Sequence, residues 1–159
     1  MAIPQLRIKI ILLLTVMLLS ISCSKNNVFS EFKPINEKGW HKDSICEFSF
    51  PITDTNVKYN FYVNVRNNNE YSYQNFWIFV NKTYPTGVLT NDTIECYLAD
   101  QRGKWLGSGV GAVKEMPILY QQKVSFSKPG TYKIKIGHGM RDTLLMGISD
   151  IGIRIEKSL

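Results

Sequence analysis

The chain has 159 residues, 44% apolar and 20% charged, with 19 lysines and arginines against 13 acidic residues and a net charge of +6. That is enough chain for one ordinary domain with a core of its own. The basic excess is spread thinly, without a lysine or arginine run, so composition excludes a nucleic-acid stripe and predicts no nucleic-acid partner.

The first segment reads as an export signal. Arg7 and Lys9 precede Ile10–Leu19, apolar except for Thr15, and Ser20-Ile21-Ser22-Cys23 closes the run. A positive start, an apolar stretch of about 7–15 residues and a small residue at the end are the parts of a secretory signal peptide. The run falls short of the roughly 20 residues that a membrane-spanning helix needs. Residues 1–22 are therefore predicted to be cleaved, leaving Cys23 to carry diacylglycerol on its thiol and a further acyl chain such as palmitate on its amine. One chain binds a membrane marginally, whereas two or more anchor stably. Ser20 stands where bacterial lipoprotein signals usually have leucine. Cleavage removes Arg7 and Lys9 and lowers the net charge to +4. No acidic residue follows Cys23 before Glu31, which favours the periplasmic leaflet of an outer membrane over the cell surface.

Residues 23–40 are polar, contain Pro34 and Gly39, show no sustained period, and are expected to form a lipidated tether. The domain is predicted over 41–159. In VKYNFYVNVR the residues Val57, Tyr59, Phe61, Val63 and Val65 alternate with polar positions, the pattern of a half-buried strand. FWIFV (Phe76–Val80) is continuously apolar and is predicted to be a strand covered on both faces. Further strands are expected near DTIECYLAD, KWLGSG, ILYQQKVSF, TYKIKIGH and ISDIGIRIE, separated by turn signals such as Asn67-Asn68-Asn69 and Lys128-Pro129-Gly130. No apolar stripe holds helical spacing for three turns. The expected fold is all-β: a single antiparallel sandwich of about eight strands, jelly-roll or immunoglobulin-like.

Residues suited to chemistry are few. His41 and His138 lie in no metal-binding spacing and no cysteine pair forms a knuckle, so neither a metal nor another cofactor is predicted. Gly107-Ser108-Gly109 is too tight for a nucleophile elbow, and Gly103–Gly111 suits a glycine-rich hairpin better than a phosphate loop. Asp92, Glu95 and Asp100 are the carboxylates a hydrolase would have to bring together. Facing solvent from strands is the simpler role for them, so an enzyme is not expected. Cys46 and Cys96 sit in apolar strand registers, open between a disulfide, which an oxidising compartment allows, and two free thiols packed as small hydrophobes.

Two surfaces are candidates for binding. GHGMR should form a glycine-flexed strand end with its cation held outward, making His138, Met140 and Arg141 the expected contacts with an envelope protein partner; the alternative is a bulge whose arginine pairs locally. Tyr71, Tyr73 and Trp105 would be the platform of a glycan-binding module, with a core position for Trp105 as its alternative.

YSYQNFWIFV, PTGVLTNDTIECYLADQRGKWLGSGVG and GTYKIKIGHGMRDTLLMGISDIGIRIEKS, together with Cys23, resemble the gliding motility lipoprotein GldH family of the Bacteroidetes, in family order across nearly the whole mature chain. The resemblance implies a lipoprotein associated with the outer membrane and needed for gliding in motile relatives. It supplies no catalytic residues. Cys96 falls where similar sequences are expected to carry an aromatic residue, which weakens the case for a disulfide. Asp43-Ser44-Ile45, Asp92-Thr93-Ile94 and Asp142-Thr143-Leu144 also resemble the O-glycosylation acceptor motif of Bacteroidetes envelope proteins, with Ser44, Thr93 and Thr143 as acceptors at expected turn-to-strand junctions. Aspartate and threonine favour such junctions in any case.

Overall fold

The computed structural model describes residues 26–158; the predicted signal segment and Cys23 lie outside them. Its strands are β1 (Asn27–Pro34), β2 (Trp40–His41), β3 (Cys46–Ile52), β4 (Tyr59–Asn67), β5 (Asn75–Thr83), β6 (Leu89–Tyr97), β7 (Lys114–Val124), β8 (Gly130–His138), β9 (Leu144–Leu145) and β10 (Ile148–Lys157). All pairings are antiparallel. One sheet has the order β1-β10-β4-β7 and the other β3-β8-β5-β6, while β2 and β9 make a short clip. Counting only the eight long strands along the chain, the orders are first-eighth-third-sixth and second-seventh-fourth-fifth. That is the wrapping of a jelly roll, and it decides between the two sandwich types.

Period-two alternation builds the core. Phe61, Val63 and Val65 of β4 and Ile151, Ile153 and Ile155 of β10 face Phe48, Phe50 and Ile52 of β3, Ile134 and Ile136 of β8, and Phe76, Ile78 and Val80 of β5, all buried. Sheets so packed lie roughly 10 Å apart. On one side the edges are tied together: the Tyr120 hydroxyl of β7 donates to the Asp92 carboxylate of β6, and Lys82 of β5 lies 3.3 Å from the same carboxylate. Tyr120's hydrogen bond, and then Lys82, hold the Asp92 pKa below its usual value.

Three expectations are corrected, and the alternative left open for the cysteines is decided. Residues 27–34 are not tether: β1 pairs along β10, and Trp40 is buried. KWLGSG forms no strand. Instead Ser108 and Glu115 exchange backbone hydrogen bonds across a hairpin, with Gly107 and Gly109 lying so close to the opposing carbonyls that a Cβ would collide. FWIFV is covered on one face only: among the described residues no further layer covers the outer face of β5, where Trp77 and Phe79 stay exposed. Cys46 and Cys96 are both free. They occupy β3 and β6, the opposite edges of one sheet, so three strand spacings, about 14 Å, separate those strands. A bridge needs Cα atoms within about 7 Å.

The sandwich has two ends. β1 begins and β10 finishes at one, with the loops 53–58, 84–88 and 125–129. The β2–β9 clip and the loops 68–74, 98–113 and 139–143 occupy the other.

Candidate functional site

Strand alternation in β5 sends Phe76, Ile78 and Val80 inward and Trp77 and Phe79 outward. The outward pair stays 37% and 47% exposed on the open face of the second sheet. Its neighbours explain how bare aromatic rings lie there. Opposite Phe79 in β8 is Gly137. A Cβ at Gly137 would sit 2.9 Å from Ile45, and one at Gly139 would sit 3.1 Å from the Phe79 ring and 3.3 Å from Trp77. The glycines leave a flat floor on which Ile45, Phe79 and Trp77 rest.

The edge of this patch is also built locally. The Gly139 N–H donates to the Trp77 carbonyl at 2.7 Å, extending the β5–β8 ladder by one step. The Trp77 N–H donates to the Met140 sulfur at 3.3 Å. Arg141 follows, exposed, and a shallow depression runs between Tyr73, Asn75, Trp77, Gly139, Met140 and Arg141. Tyr97 pairs with Asn75 and extends the apolar strip, while Glu95 accepts from the Asn75 amide at 2.7 Å. The result is an exposed aromatic strip with a cation at one end. Such a surface suits contact with another macromolecule.

Two of the three residues expected in GHGMR, Met140 and Arg141, border this patch. His138 does not. It continues the inward phase of Tyr132, Ile134 and Ile136, is 2% exposed, and donates from Nε2 to the Trp40 carbonyl at 3.0 Å. The expected glycan platform also comes apart. Tyr71 is 3% exposed, its hydroxyl donating to the Asn75 carbonyl at 2.7 Å among Tyr73, Phe76 and Trp105. Trp105 is half-buried, its indole N–H donating to Asn69, so Tyr73 alone presents an open ring.

The carboxylates considered for hydrolysis do not converge. Asp92 serves the sheet-edge tie, Glu95 holds Asn75, and Asp100 accepts from the Arg102 and Lys104 N–H groups at 2.9 Å to close its own turn. Among the described residues no cluster of three histidines, cysteines or carboxylates is placed to hold a metal. Burial pushes the Cys46 thiol up to about 11 and the Cys96 thiol to about 12, and the Cys96 thiol donates to the Phe76 carbonyl at 3.1 Å. Neither is a nucleophile at neutral pH. Ser44, Thr93 and Thr143 are all exposed. Ser44 and Thr143 lie in loops, whereas Thr93 sits inside edge strand β6 and not at a strand entrance.

Trp77 and Phe79 are the residues that sequence reasoning missed. The signal lay in the glycines of GHG, which leave the sheet face beside the rings without side chains to cover them.

The sequence family described as "GldH lipoprotein" matches residues 27–155 of the chain. The "Gliding motility lipoprotein GldH homolog" of Christiangramia forsetii is 39% identical over 155 residues, covering 93% of this chain and 94% of that protein. The "Gliding motility lipoprotein GldH" of Flavobacterium johnsoniae is 38% identical over 154 residues, covering 92% and 94%. Among solved structures, the infectious bursal disease virus VP2 subviral particle overlays with a TM-score of 0.36 at 12% identity, over 83% of this chain and 30% of that one. At that score the overlay carries no argument.

Proposed function

Because the chain belongs to the GldH lipoprotein family, we propose that it is a lipid-anchored envelope protein of the gliding-motility or a related machinery, acting through protein contacts and without catalysis. Cys23 carries the anchor, and the body works on the periplasmic face of the outer membrane. The observation that carries the reading is the strip of Trp77 and Phe79 on an open sheet face, floored by Gly137 and Gly139 and ended by Arg141. A fold of this size gains nothing for its own stability by leaving two large rings half in water. Exposed aromatic residues beside an arginine are what interface centres are made of. The dispersed carboxylates and the buried His138 support the non-catalytic part.

In-cell crosslinking of the full-length lipoprotein tests this, comparing the natural chain with Cys23→Ala and with Trp77→Ser/Phe79→Ser. We expect one envelope protein to be captured repeatedly by the natural chain and lost from both variants. The double variant should keep its thermal midpoint within a few degrees, because both rings are already half exposed. Equal capture by the double variant would remove the aromatic strip from the interface. Absence of any repeated capture from an abundant, folded lipoprotein would remove the partner itself.

A further inference from the structure

We infer that the body is seated directly on the phospholipid surface that holds its anchor, through the end of the sandwich where β1 begins and β10 finishes. The inference rests on the reading that Cys23 is acylated. The Lys157 N–H donates to the Asn26 carbonyl at 2.8 Å, so the chain is fastened to the fold already at Asn26. Only Ser24 and Lys25 separate it from Cys23. Three Cα steps at full extension reach about 10 Å. The anchor's glycerol lies in a headgroup layer roughly 5–7 Å thick. The leash therefore lets this end rise only a few ångströms above the lipid.

What the end presents suits that position. Lys58, Lys123, Lys128 and Lys157 are exposed there. The loops between them contribute a single carboxylate, Asp54, 3.8 Å from Lys157, and Glu156 is already held by Arg154. Where the 84–88 loop runs into β6, Val88 and Leu89 are 56% and 66% exposed. Lysines around exposed apolar side chains are the chemistry of an anionic headgroup surface, each lysine near the membrane worth roughly fivefold in binding. The loops at the other end carry as many acidic as basic residues, which gives that end no such preference.

The test uses the mature acylated chain in vesicles of phosphatidylethanolamine with and without phosphatidylglycerol. A fluorophore is placed on Val88→Cys or, at the far end, on Val110→Cys; the buried thiols of Cys46 and Cys96 leave the label to the new cysteine. The label at 88 should be quenched by a lipid-borne quencher, more strongly with phosphatidylglycerol, and the label at 110 only by an aqueous one. Replacing Lys58, Lys123 and Lys128 with glutamine should weaken seating by about fivefold per lysine and open site 88 to water while the chain still floats with the vesicles. A floating natural chain whose site 88 is as open to water as site 110 overturns the seat and leaves acylation standing. A chain whose mass shows no lipid on Cys23 overturns both.

Discussion

His138 turns its ring into the core at the end of β8, meeting the Trp40 indole edge-on at 5.4 Å. Its partner is a carbonyl, so Nε2 carries the proton, and Nδ1 is left buried without a protein partner among the described residues. Burial holds its pKa below the ordinary 6.5; the Trp40 carbonyl and Asp142 offset part of that, and His41 adds to the lowering. The unfolded chain thus takes up a proton that the fold resists. The associated stability is present above about pH 6.5 and is lost as pH falls toward the depressed folded value, by at most about 1.4 kcal/mol per pH unit. His138→Gln keeps a donor for the Trp40 carbonyl but cannot titrate. Denaturant unfolding between pH 8 and pH 5 should therefore show a flatter profile for the variant than for the natural protein. Parallel profiles would show that His138 is not the group responsible. The inward direction of this histidine was legible, since Tyr132, Ile134, Ile136 and His138 share one phase. The glycines on either side of it hid the alternation and invited an outward reading.

At the scale of elements, β1 shows why a strand can pass for a tether. Its two aromatic residues, Phe29 and Phe32, are three positions apart and so face opposite sides of the sheet. Phe29 meets Phe50 in the core at 5.7 Å, whereas Phe32 lies on the outer face beneath the Arg66 guanidinium at 3.8 Å. A register shift between Asn27 and Phe29 blurs the alternation further. What makes room for Phe32 is Gly152, where a Cβ would come within 2.7 Å of the ring. Gly152→Val should therefore overpack this contact, at a cost of about 1–3 kcal/mol, and lift β1 off β10. Hydrogen exchange is expected to rise across 27–34 while β3 and β8 stay protected. Unchanged protection of β1 would show that its backbone ladder, and not the Phe32 stack, holds it. β5 failed to declare itself for a different reason. A continuous apolar run reads as covered on both faces, and only the three-dimensional structure, in which no described residue forms a layer outside the second sheet, shows that two of its rings stand open.

For the whole molecule, most strands and the all-β class were readable from local alternation and turn residues. The jelly-roll order was not, because it depends on which crossings connect the sheets, and no local pattern encodes that. The same long-range order separates Cys46 from Cys96 and turns them into reporters of how the molecule opens. They lie on opposite edges of the second sheet, yet both belong to one contiguous core that runs from Trp40 to Ile155. If that core unfolds as a unit, each thiol becomes reactive only when the whole sandwich opens, and both should then be modified at the same rate. If β6 opens on its own, Cys96 reacts first. The Tyr120–Asp92–Lys82 tie opposes that separate opening by fastening β6 to β7 across the sheet edges. Thiol modification at pH 8, followed peptide by peptide in the mass spectrum, is expected to give matching rates for the natural chain. Tyr120→Phe should raise the Cys96 rate above the Cys46 rate. A tenfold gap already in the natural protein, about 1.4 kcal/mol in opening free energy, would mean that β6 opens separately and that the sandwich is not one cooperative unit.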